Sequence, residues 1–181
     1  MENIKEQINN EERIFTGHLV KVNKLDVTLP NGAPAMREVV RHPGASAIVP
    51  VDKDGNVILV KQFRCPIADI LLEIPAGKLD HKGEDRLEAA KRELAEETGL
   101  TAGNWVHLID MLTTPGFCDE VISIYLATDL SQGDTNPDDD EFLHILKMPL
   151  TELVKMAQNG ELHDSKTVTG ILLADKALRK E

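Results

Sequence analysis

The chain has 181 residues and a formal net charge of −11, an acidic field that repels polyanions and argues against a nucleic-acid groove. A small phosphorylated ligand stays admissible if a divalent cation stands between carboxylates and phosphates. Hydrophobic residues make up 41% and charged residues 28%, so the chain can bury a core, and Cys65 and Cys118, which lack metal-ligand spacing, read as reduced thiols.

Met1 to Arg13 is polar and does not read as a signal peptide, and no stretch approaches the length of a membrane span. A cytoplasmic protein with no membrane partner is expected. Ile14–Lys24, Leu25–Leu29 and Arg37–Arg41 are rich in β-formers, with a turn at Pro30-Asn31-Gly32. Pro43-Gly44 then breaks the chain, which predicts a small N-terminal β lobe over 1–43 and a main domain over 44–181. Ala45–Val51 and Val57–Phe63 are apolar runs joined through Asp54-Gly55, a hairpin signal. Ile70–Ile74 reads as a short strand ended by Pro75-Ala76-Gly77.

From Glu84 to Thr98 the period changes. Leu87, Ala90 and Leu94 form one helical stripe, Asp85 and Glu88 resemble a capping box, and Gly99 suits the residue after the helix. Trp105–Leu112 and Val121–Ala127 read as strands around the loop 113–120. An acidic loop over 131–141, a strand over 142–147, and helices over 150–158 and 166–178 complete the chain. Strands and helices interspersed unevenly indicate an α+β fold.

Glu93, Glu96 and Glu97 crowd one sector of the predicted helix. Such like-charge neighbours destabilise an isolated helix by roughly 0.2–0.5 kcal/mol per pair, and a bound cation reverses that sign. Acidic helix faces are usually solvated, so the spacing alone is weak. Its context is not. Gly77, Glu84, seven residues, then Arg92-Glu93-Leu94-Ala95-Glu96-Glu97-Thr98-Gly99-Leu100 resembles the box of the Nudix family. Six residues rather than five separate Gly77 from Glu84, and the extra one falls in the loop before the helix.

The resemblance implies a Nudix α/β/α sandwich with a mixed sheet, and Mg²⁺ or Mn²⁺ as cofactor. It implies Glu93, Glu97, Glu96 and the carbonyl of Ala76 as metal ligands, Arg92 as the residue orienting the carboxylates, and Glu84 as a brace for helix and loop. Flanking segments, Val60–Arg64, Leu72–Gly77, Thr114–Glu120 with Pro115, and Leu162–Thr167, are similar to ADP-ribose pyrophosphatases of that family. Hydrolysis of ADP-ribose to AMP and ribose 5-phosphate is therefore expected. Another nucleoside diphosphate sugar, of the GDP-mannose or ADP-glucose type, is the alternative. A non-catalytic nucleotide-binding module ranks third, since all three box glutamates are present.

Arg64 suits a charge-assisted contact to the diphosphate. Glu73 suits a ribose hydroxyl or adenine amine, Gly116 a close backbone approach to the ligand, and Glu120 the terminal ribose. The Asp138–Glu141 run resembles the loop that brings a late carboxylate to the attacking water, with Glu141 as base and Asp140 second. The subfamily typically forms homodimers, and by resemblance Arg37 and Glu38 contact adenine across that interface. The six histidines share no spacing and read as structural.

Overall fold

The computed structural model describes residues 4–133 and 143–179. The chain forms two compact units, Met1–Gly44 with Leu112–Val121, and Ala45–Met111 with Ile122–Glu181.

The first unit is an antiparallel sheet of β1 (Gln7–Thr16), β2 (Lys21–Thr28) and β3 (Pro34–Arg41), in that order. The apolar run 14–24 does not make one strand, because the Gly17 N–H closes a turn on the Val20 carbonyl at 2.8 Å. Polar Gln7–Arg13 instead joins the sheet as part of β1, which is exposed along its whole length. Leu25 and Val27, alternate residues of β2, supply the buried face. The loop 112–121 is tied to β3. The Val40 N–H donates to the Phe117 carbonyl at 2.7 Å, and the Asp119 carboxylate accepts from the Arg41 guanidinium at 3.0 Å and the His42 N–H at 2.8 Å.

Among the described residues the second unit holds two sheets. One has the order β7 (Ala76–Lys78), β4 (Ala45–Pro50), β9 (Val121–Gln132), β8 (Leu100–Leu112); the other runs β10 (His144–Pro149), β5 (Asn56–Arg64), β6 (Asp69–Glu73). The Asp-Gly turn predicts a β4–β5 hairpin, and the structure corrects this. All six residues of β4 are buried, and it pairs parallel with β9 and antiparallel with β7. Asp52 spends the turn on its own backbone, accepting from the N–H groups of Asp54 at 3.0 Å and Asn56 at 2.9 Å. The chain is thereby sent into the second sheet, and an isolated bridge, Val51 to Val57, is what remains of the hairpin.

The alternation along β4 explains the layers. Ile48 packs with Ala90 and Leu94 of α1 (Arg86–Thr98) and with Tyr125. Ala47 and Val49 join Leu153 of α2 (Leu150–Gln158) and Ile171 of α3 (Ser165–Leu178) in the larger core. The central sheet therefore lies between α1 and the α2–α3 pair, an α/β/α sandwich within an α+β chain. Among the described residues no helix is long and apolar enough to cross a membrane.

Candidate active site

The residues flanking α1 fix the helix at both ends. Asp85 caps it, accepting from the N–H groups of Leu87 at 2.9 Å and Glu88 at 3.0 Å. Glu88 turns away and pairs with Lys91 at 2.7 Å. Gly99 closes the helix at φ 68°, where a side chain would be strained, and donates to Ala95 at 2.8 Å. The residues before the helix, including the extra one, fold as a tight turn. The Glu84 N–H donates to the His81 carbonyl at 3.2 Å, and its carboxylate accepts from the Asp80 N–H at 2.6 Å.

Glu93 and Glu97 sit on the inner side of α1, 8% and 7% exposed. Glu97 accepts from the Ala76 N–H at 3.1 Å. Glu93 lies against Gly77 so closely that a Cβ there would overlap its carboxyl group. Arg92 binds Glu93 at 2.7 Å and Glu96 at 2.9 Å through one nitrogen. Its other groups reach Glu84 at 3.7 Å and Asp80 at 3.9 Å. Burial works against the Arg92 charge, but the carboxylates of Glu93 and Glu96 outweigh it and raise its pKa above the usual arginine value. Its Nε is buried without a hydrogen bond among the described residues.

Loop and helix thus bring together Ala76, Gly77, Arg92, Glu93, Glu96 and Glu97. Among the described residues no three acidic, histidine or cysteine side chains already form a ligand cluster; Arg92 spans Glu93 and Glu96, and Glu97 faces the loop. The donor set is nevertheless oxygen alone, with two nearly buried carboxylates, and a glycine is needed to seat one of them. That chemistry fits a hard divalent cation.

Arg64 and Glu73 meet each other directly. Arg64 donates from Nε and Nη2 to the two carboxylate oxygens of Glu73, both at 2.7 Å. Glu73 is 1% exposed and also accepts from Lys166, which in turn reaches Asp164 at 3.0 Å. Burial alone would raise the Glu73 carboxyl, but Arg64 and Lys166 hold it below the usual carboxylate range. The bond to Glu73 raises the Arg64 pKa. Lys166, Asp164 and Thr167 are residues that sequence reasoning did not place at the site. Asp164 caps α3, and Thr167 accepts from the Ile74 N–H at 2.9 Å.

Arg37, Glu38, Gly116 and Glu120 belong to the first unit. Arg37, Glu38, Gly116 and Phe117 border an open cavity of about 440 Å³. Arg37 pairs with Glu6, and Glu38 stands opposite Lys24 in the β2–β3 register. A Cβ at Gly116 would meet nothing within 4 Å. Glu120 accepts from Thr113 at 2.9 Å and lies 3.3 Å from His42. Asp140 and Glu141 lie outside the described residues.

Residues 40–169 match the NUDIX domain. The chain is 40% identical over 173 residues to the ADP-ribose pyrophosphatase of Bacillus subtilis (strain 168), covering 94% of this chain and 93% of that one. It is 41% identical over 169 residues to the methanol dehydrogenase activator of Bacillus methanolicus, covering 92% and 91%. A crystal structure of an ADP compounds hydrolase superposes with a TM-score of 0.84 at 25% identity, over 97% of this chain and 95% of that one. With a box helix seated on its glycine loop and a domain match over most of its length, the chain belongs to the Nudix hydrolase family.

Proposed function

We propose that the protein hydrolyses the diphosphate of ADP-ribose, giving AMP and ribose 5-phosphate, with Mg²⁺ or Mn²⁺ as cofactor. Family members generally use divalent metal ions. The observation that carries the reading is the nearly buried Glu93–Glu97 pair closed over Ala76-Gly77. The bacterial ADP-ribose pyrophosphatase at 40% identity supports the substrate.

In this reading Glu93, Glu97, Glu96 and the Ala76 carbonyl hold the cation. Such a cation neutralises charge at the diphosphate and makes water more acidic. Arg92 keeps Glu93 and Glu96 from repelling each other, and Glu84 holds the turn before the helix. Arg64 donates to the diphosphate from a side chain that is 43% exposed. Glu73, expected to take a ribose hydroxyl or adenine amine, has both oxygens engaged and serves instead as an anchor for Arg64. Glu141, with Asp140 second, takes the proton as water adds to phosphorus and the bridging P–O bond breaks, AMP leaving on one side. A homodimer in which Arg37 and Glu38 contact adenine, with Gly116 and Glu120 as further substrate contacts, belongs to the same reading, as does a cytoplasmic location.

The test is product analysis with Mg²⁺ and a panel of ADP-ribose, ADP-glucose, GDP-mannose and NADH. ADP-ribose is expected to turn over fastest, giving AMP, with activity abolished by EDTA. Glu97→Gln is expected to lower kcat by on the order of a hundredfold or more with an unchanged circular dichroism spectrum. Preference for a GDP-sugar would move the specificity, and a near-normal Glu97→Gln rate would remove Glu97 from the metal set.

A further inference from the structure

Lys166 has no part in the box and lies on α3, yet its ammonium is buried against Glu73 and Asp164. A buried lysine is retained only where its charge is matched, and here two carboxylates match it. The partner it shares is informative. Oε2 of Glu73 accepts both from Lys166 and from Nη2 of Arg64. A carboxylate bound by Arg64 alone would cancel the guanidinium's charge. Two cations share this carboxylate, and with Asp164 the four side chains sum to zero formal charge, so loss of Lys166 would leave Arg64 beside an excess of negative charge. Asp164 binds Lys166 at 3.0 Å while capping the positive N-terminus of α3.

Exposure gives the cluster a direction. The side chains of Glu73, Lys166 and Asp164 are 2%, 9% and 15% exposed, and that of Arg64 is 43%. Arg64 is therefore the cluster's outlet to solvent, its plane fixed by a bidentate grip. The adjacent residue of α3 grips the adjacent residue of the loop. Thr167 takes the Ile74 N–H, so the first turn of α3 holds both residues that lead into Pro75-Ala76-Gly77.

We propose that Lys166 is a positioning residue for diphosphate binding. Through Glu73 it sets the orientation of Arg64 and keeps the surrounding carboxylates matched, so that the guanidinium's own charge stays available to an anionic ligand. The inference rests on the reading of Arg64 as a diphosphate contact.

The experiment is a cycle of Lys166→Met and Arg64→Ala, alone and combined, with KM and kcat for ADP-ribose measured at saturating Mg²⁺. Lys166→Met is expected to raise KM about tenfold and to change kcat less than about twofold. Lys166→Arg restores most of the loss. In the Arg64→Ala background, Lys166→Met adds less than about twofold to KM. Lys166→Gln removes the charge but leaves a donor for Glu73, and gives the same readout if methionine prevents folding. Equal effects of Lys166→Met in both backgrounds, or no effect on KM in either, would overturn the proposal with Arg64 still a substrate contact. If Arg64→Ala itself leaves KM unchanged, the underlying reading falls and the proposal with it.

Discussion

Adding one methyl group at Gly77 would drive carbon into the carboxyl group of Glu93. Because that glutamate is nearly buried and bound to Arg92, its carboxyl group has to leave its seat or the helix and loop have to part. A displacement of about 1 Å at a reacting centre can cost about a hundredfold in rate. Gly77→Ala is therefore expected to lower kcat by on the order of a hundredfold with only a modest fall in thermal midpoint. Parallel melts and rate measurements check this, and a rate within twofold of wild type would show that the loop absorbs the methyl freely. The glutamates of α1 were legible in the sequence because they stand close together along one helix face. The reason for the glycine was not, since it depends on how closely a loop approaches a helix. Lys166 was still less legible, because its partner Glu73 is 93 residues away.

Among the elements, α1 was the most legible. Its stripe, its cap at Asp85 and its stop at Gly99 are all local signals, and all three appear. The β4–β5 hairpin failed because strand pairing followed burial. A strand enclosed on both faces recruits flanking strands wherever they occur in the chain, and β9 lies far downstream. Helix α3 shows a constraint of the opposite kind, invisible to local propensity. At Gly170 a Cβ would lie 2.9 Å from Val49 and 3.0 Å from Ile74, tighter than packed side chains tolerate. Alanine gains up to about 1 kcal/mol in helix propensity there, but overpacking costs about 1–3 kcal/mol. Gly170→Ala is expected to destabilise by about 1–2 kcal/mol, read from urea unfolding. A stabilised variant would mean that the helix shifts outward without penalty.

Across the whole molecule, several carboxylates titrate below their ordinary range. Glu73 is lowered, against burial, by Arg64 and Lys166; Asp52, against burial, by Asn56; and Asp110 by Ser123 and then His107. A depressed native pKa means that the unfolded chain takes up protons first. The stability these groups contribute is thus present above about pH 4 and is lost as pH falls through their native values. The thermal midpoint is expected to be level near neutrality and to drop steeply below about pH 4. Glu73→Gln should lower the plateau, because two cations lose their shared partner, and should flatten the acid limb. An unchanged acid limb in that variant would show that Glu73 does not couple to folding.

The first unit is written in two places along the chain, Met1–Gly44 and Leu112–Val121. During synthesis, β3 leaves the ribosome while the loop that binds it has yet to be made. At typical translation speeds the delay is roughly 4–15 s. Throughout that interval Arg41 and the His42 N–H lack the Asp119 carboxylate, and the Val40 N–H lacks the Phe117 carbonyl. Strands β4 to β8 emerge in the meantime. The N-terminal sheet is therefore synthesised well before the loop that ties it down, and the second unit waits in turn for its Ile122–Glu181 part.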